Sequence, residues 1–153
     1  MLKVGDAAPD FELPDDAGSR VRLSELAGKW VVLFFYPADE TPGCVAESCE
    51  FRDRHSEFVG AGAVVFGVSR DEASTHASFR KRLKLPFPLL TDTDGKVLAE
   101  YQAIGLFGYP KRITYVIDPD GAVAGMYESQ VRAKNHTPYA LGVIMGEPVA
   151  KEH

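Results

Sequence analysis

Trp30-Val-Val-Leu-Phe-Phe-Tyr36 is an unbroken apolar run, rich in β-branched and aromatic side chains and closed by Pro37. A strand with one wet face alternates apolar and polar residues, so a run without alternation suits a strand covered on both sides, central in its sheet. Ala63-Val-Val-Phe-Gly-Val68 is a second such run. The interval between the two is long enough for a crossover helix, which predicts a parallel pair.

Outward from this pair the pattern changes. Ser69 precedes Glu72 by three positions, a capping-box spacing that predicts a helix carrying Phe79 and ended by Leu85-Pro86. Ile113 to Ile117, the turn Asp118-Pro-Asp-Gly121 and Ala122 to Tyr127 predict an antiparallel hairpin, with Gly121 where a positive φ is wanted. The sheet is therefore mixed. Upstream, Phe11 to Leu13 and Val21 to Leu23 flank Asp15-Asp-Ala-Gly18 as an N-terminal hairpin, and Ser24 is placed to cap a short turn before Gly28. Thr137 to Met145 is read as a helix weakened by Gly142 and Gly146. No repeat or low-complexity tract interrupts the pattern.

The 153 residues, 45% hydrophobic and 25% charged, predict one domain spanning 1–153. A chain of this length buries enough surface to hold a core without a disulfide or a metal, which leaves its two cysteines free for chemistry. The net charge is −5 and no basic run exceeds Arg80 to Arg82, so nucleic acid is not an expected partner. Lys3 and Asp6 stand near the start with no apolar stretch of signal or membrane-span length after them, and a cytoplasmic protein without membrane association is expected. In a reducing compartment two cysteines are more often catalytic, redox-sensing or metal-binding than bridged.

Those cysteines follow the first central strand, in Pro37-Ala-Asp-Glu-Thr41-Pro-Gly-Cys44-Val-Ala-Glu47-Ser-Cys49. Pro42 suits the first turn of a helix, which makes Thr41 the N-cap and puts Cys44 among the unpaired N–H groups of that turn. A thiol in such a field, above all with an arginine beside it, titrates below the free value of about 8.5. The same amides can hydrogen-bond an incoming oxyanion. Cys44 is thus the expected nucleophile. Cys49 lies beyond the first turn and gains less. Five residues of helix rotate by about 140° and rise about 7.5 Å, so the two Cα atoms sit roughly 8 to 9 Å apart. A disulfide spans about 4.4 to 6.8 Å, so a bridge between them requires the helix to open. Taken residue by residue, the same positions also fit an inert core thiol, a redox switch or a pair of metal ligands.

Pro37-x-x-x-Thr41-x-x-Cys44 after an FFY strand resembles the active-site pattern of the peroxiredoxins, and Cys49 resembles the resolving cysteine of their peroxiredoxin Q, or bacterioferritin comigratory protein, group. The likeness runs from Val4-Gly-Asp-Ala-Ala-Pro-Asp-Phe11 through Gly67-Val-Ser-Arg-Asp71 and Leu85-Pro-Phe-Pro-Leu-Leu-Thr-Asp92 to Arg112-Ile-Thr-Tyr-Val-Ile-Asp118. It implies a thioredoxin fold, a central mixed β-sheet flanked by helices, with an N-terminal β-hairpin extension. It implies a peroxidase in which Cys44 attacks the peroxide, Thr41 orients thiolate and substrate, Pro37 shields the site, Arg112 stabilises the developing charge and Glu47 holds Arg112. The implied partners are a hydroperoxide, either hydrogen peroxide or an organic one, and a thioredoxin-like dithiol. No cofactor or metal is implied, and a monomer or weak homodimer is expected. Two stretches depart from the pattern: Ala103 to Lys111 is short, and the tail beyond His136 differs.

Other chemistries find less support. The pair lacks the Cys-x-x-Cys spacing of a disulfide oxidoreductase. His55, eleven residues beyond Cys44, is about 16 Å away along a continuous helix and cannot activate it. His76 and His136 read as surface or capping residues. Asp92-Thr-Asp-Gly95 lacks the terminal acids of a calcium loop, and Gly60-Ala-Gly62 enters a strand where a dinucleotide fingerprint leaves one.

Overall fold

The computed structural model describes residues 2–39, 41–105, 108–129 and 135–146. Strand β3 (Trp30–Phe35) lies at the middle of a five-stranded sheet of order β5-β4-β3-β6-β7. It pairs in parallel with β4 (Ala63–Ser69), which pairs in parallel with β5 (Leu89–Thr91). On its other side it runs antiparallel to β6 (Ile113–Ile117), and β6 to β7 (Val123–Glu128). A smaller hairpin, β1 (Glu12–Pro14) and β2 (Arg20–Arg22), precedes the sheet. This is the thioredoxin fold with its N-terminal hairpin.

The apolar run of β3 lacks alternation because both faces are covered. Val31, Leu33 and Phe35 enter one core with Phe11, Tyr101 and Tyr115, while Val32 and Phe34, continued by Tyr36, enter a second with Phe51, Phe58, Phe79, Phe87 and Leu141. Cys44 belongs to the second core. Helices α1 (Pro42–Asp53) and α2 (His55–Gly60) make the crossover from β3 to β4, and α3 (Ala73–Leu83) makes the next one to β5. α4 (Lys96–Glu100) leads towards β6, and α5 (His136–Met145) packs on β6, β7 and α1. Gly125 permits that packing, since a Cβ there would stand 2.8 Å from Val143 Cγ2.

Several local expectations give way to tertiary context. Ser69 does not cap α3: it is the last residue of β4, paired with Thr91, and its hydroxyl donates to Asp71, while Glu72 occupies the N-cap position. Ser24 does not cap the 3-10 turn Leu23–Leu26 either; its N–H donates to Asp10 Oδ1, which also accepts from Phe11. The helix beyond Cys44 is not continuous to His55 but breaks at Arg54. Gly121 takes φ 87° in the β6–β7 turn, as the turn chemistry requires. Part of the unusual tail and of the short 103–111 stretch lies outside the described residues.

Candidate active site

The segment from Pro37 to Thr41 joins the centre of the sheet to α1. Pro37 is half-buried. Thr41 is the N-cap of α1 by backbone geometry, and its carbonyl accepts from Val45 at 2.8 Å. Its hydroxyl does not cap the helix but donates to the Ala38 carbonyl at 2.9 Å. That leaves the Thr41 oxygen with its lone pairs to offer a substrate proton.

Two residues into the helix from Pro42, Cys44 is fully buried and unbridged. Arg112, which leads into β6, donates from Nη2 to Cys44 Sγ at 3.3 Å and from Nη1 to Glu47 Oε1 at 2.8 Å. One guanidinium therefore spans the thiol and the carboxyl one turn further along α1. Its planar fork can do this; a lysine ammonium offers no such geometry. Burial works against the charge on Arg112, but Glu47 and Cys44 outweigh it and hold the guanidinium above its ordinary value. Glu47 is buried completely, and burial pushes its carboxyl up to about 8 although Arg112 pulls the other way. Cys49 lies on the same unbroken helix, half-buried and unbridged.

The approach of Arg112 to α1 depends on Gly43. A Cβ at that position would stand 2.9 Å from Arg112 Nη2 and 3.5 Å from Cζ. Gly43→Ala should keep or slightly raise the melting temperature, since alanine favours helix by about 0.5–1 kcal/mol. Displacement of the guanidinium from Sγ should nevertheless slow single-turnover oxidation by peroxide by about tenfold, or ~1.4 kcal/mol. Thermal denaturation and rapid-quench alkylation of the remaining thiol would read the two effects separately.

Both histidines expected at the surface are buried. His76, on α3, contacts Asp39 Oδ2 through Nδ1 at 2.7 Å and the Leu90 carbonyl through Nε2 at 3.0 Å. Tyr36 donates to Asp39 Oδ1 at 2.6 Å, and the Asp39 N–H donates to Asp71 Oδ2. Burial, then the Asp39 carboxylate, push the Tyr36 phenol well above its ordinary value, so it stays a donor. This network fastens Asp39 to β4, β5 and α3. Asp39, Asp71 and His76 place possible ligand atoms within 4.8 Å of one another, yet the carboxylates already accept from Tyr36, Ser69 and the Asp39 amide, and Asp39 Oδ2 is in contact with His76 Nδ1. The cluster is a hydrogen-bonded brace and fits a metal poorly. His136 begins α5 and lies against Thr114 and Glu47. His55 sits on α2 beside Phe87, and burial lowers its pKa.

A thioredoxin fold that buries a thiol at a helix N-terminus under an arginine is the frame of a cysteine-based oxidoreductase. Residues 4–126 match the model of the AhpC/TSA family. Chloroplastic peroxiredoxin Q of Oryza sativa subsp. japonica is 46% identical over 145 residues, 94% of this chain and 67% of that protein. The crystal structure of peroxidoxin BcpB from Mycobacterium tuberculosis superposes with a TM-score of 0.90 at 40% identity, over 97% of this chain and all of that one. The bacterioferritin comigratory protein of Xanthomonas campestris superposes with a TM-score of 0.85 at 30% identity, over 95% and 97% of the two chains. The chain belongs to the AhpC/TSA family, in its peroxiredoxin Q group. It is a thiol-dependent peroxidase.

Proposed function

We propose that Cys44 reduces hydrogen peroxide and organic hydroperoxides and that Cys49 resolves the product. The observation that carries this reading is the 3.3 Å contact of Arg112 Nη2 with Cys44 Sγ at the start of α1. The Cys44 thiolate attacks one peroxide oxygen, the O–O bond breaks, and the leaving oxygen takes a proton to depart as water or alcohol; sulfur becomes a sulfenic acid. Arg112 and the first-turn amides stabilise the charge that grows on the oxygens. The Thr41 oxygen accepts the peroxide hydrogen, and Pro37 limits access of water to the sulfur.

Cys49 then attacks Cys44 Sγ and displaces water, forming an intramolecular disulfide. Helix α1 holds both residues in its regular span, so this step requires the helix to unwind around them. A thioredoxin-type dithiol reduces the bridge by exchange and leaves as its own disulfide. The Xanthomonas campestris relative is described with alkyl peroxide reduction activity, which supports organic hydroperoxides as substrates here. Among the described residues no helix is long and apolar enough to cross a membrane. Cytoplasmic placement rests on the sequence alone, and the plant relatives are chloroplastic.

The test is a coupled assay with catalytic amounts of the chain, thioredoxin, its reductase and NADPH, given hydrogen peroxide or cumene hydroperoxide. Sustained NADPH consumption with either peroxide is expected. One stoichiometric oxidation without turnover would replace this reading with a redox sensor.

A further inference from the structure

A threonine at a helix N-cap usually turns its hydroxyl oxygen to the first-turn amides, but Thr41 makes no such bond. Its hydroxyl donates to the Ala38 carbonyl at 2.9 Å. That carbonyl is one end of a planar peptide group whose other end is the Asp39 N–H. The Asp39 N–H donates to Asp71 Oδ2 at 2.8 Å. One rigid group is thus held from both sides, and the hydrogen bond at each end polarises the other.

Asp71 is itself fixed. Ser69 Oγ donates to the same Oδ2 at 2.6 Å and accepts from the Asp71 N–H at 3.1 Å. Ser69 is fully buried at the end of β4, where it pairs with Thr91 and its carbonyl accepts from the Asp92 N–H at 3.0 Å. A line of hydrogen bonds therefore runs from β4 through Asp71 and the Ala38–Asp39 peptide group to the Thr41 hydroxyl. The Asp39 side chain turns to Tyr36 and His76, so Asp71 engages this segment through its backbone.

We propose that Asp71 is a positioning residue for the peroxidase reaction: through the Ala38–Asp39 peptide group it holds the Thr41 hydroxyl off the helix cap, with its oxygen open to a peroxide hydrogen. The inference rests on the peroxidase reading above and deepens it. A hydroxyl has one hydrogen and two lone pairs. With the hydrogen engaged by Ala38, Thr41 offers a ligand an acceptor, and a hydroperoxide O–H is a donor. Released from Ala38, the hydroxyl would turn to the first-turn amides, which attract the same lone pairs. The oxygen that the peroxide needs would then be committed to the helix.

Two measurements test the proposal. In the reduced chain, with no peroxide present, three-bond NMR couplings should show one Thr41 χ1 rotamer, and Asp71→Ala should change that population. Asp71→Asn, whose side-chain carbonyl can accept from the same donors, should restore it. A rotamer unmoved by Asp71→Ala, or not restored by Asp71→Asn, overturns the proposal. A parent chain inert to peroxide would instead sink the peroxidase reading, and with it the use made of Thr41, while leaving the rotamer response intact. Secondly, single-turnover oxidation of Cys44 by hydrogen peroxide is set beside alkylation of the same thiol by iodoacetamide, which needs the thiolate but no hydroxyl acceptor. Asp71→Ala should slow the peroxide reaction by about tenfold and leave alkylation within about twofold. In a Thr41→Val background the same substitution should cost nothing further. An unchanged peroxide rate, an equal fall in both reactions, or an undiminished effect without the Thr41 hydroxyl overturns it.

Discussion

Cys44→Ser is expected to abolish peroxide consumption, lowering single-turnover oxidation by roughly 10³-fold or more, while Cys49→Ser keeps the first oxidation and loses recycling by thioredoxin. The asymmetry follows from position. Cys44 is buried at the start of α1 under Arg112, whereas Cys49 lies further along the helix without that contact. A serine hydroxyl at position 44 would meet the same guanidinium, but its oxygen stays protonated and is a poor nucleophile. In Cys49→Ser protein the sulfenic acid has no partner thiol and should persist until a small thiol or more peroxide reaches it. Mass spectrometry after one equivalent of peroxide would resolve the species: unmodified chain for Cys44→Ser, one added oxygen for Cys49→Ser and a loss of two hydrogens for the parent. One added oxygen on Cys44→Ser protein at the parent rate would reverse the two roles.

The sequence made the sheet and the thiol legible because both are signalled locally. Trp30 to Tyr36 reports two covered faces in its own composition, and Pro42 and Cys44 lie on one helical turn. Arg112 lies 68 residues from Cys44, and only a family pattern could join them before the fold did. His76 and His136 had no such help. Their partners lie 37 and 22 residues away, on other elements, and a lone histidine carries no sign of burial. Ser69 and Glu72 show the opposite failure. The capping spacing is present, but pairing of β4 with β5 holds Ser69 extended, so the ladder prevails over local propensity. The same contest decides His136: position 136 opens α5, where capping is the local expectation, yet the ring turns inward to Glu47 because β6 and β7 cover it.

Arg112→Leu should slow oxidation of Cys44 by about 10²–10³-fold, or ~3–4 kcal/mol, with much less effect on folding. Removing one member of a buried ion pair usually costs about 3–5 kcal/mol, because the charge left behind has no partner. Here Glu47 already tends to its neutral form, so loss of the guanidinium leaves a carboxyl and not a stranded anion. In the proposed mechanism the thiolate has no such escape: it draws on the charge that Arg112 would bring to Sγ and to the departing oxygen. Arg112→Lys should recover only part of the rate, since a single ammonium cannot reach Sγ and Glu47 Oε1 in the geometry of the fork. Rapid-quench oxidation rates set beside urea unfolding would decide the matter. A loss of stability of several kcal/mol with an unchanged oxidation rate would show that Arg112 serves the fold and not the chemistry.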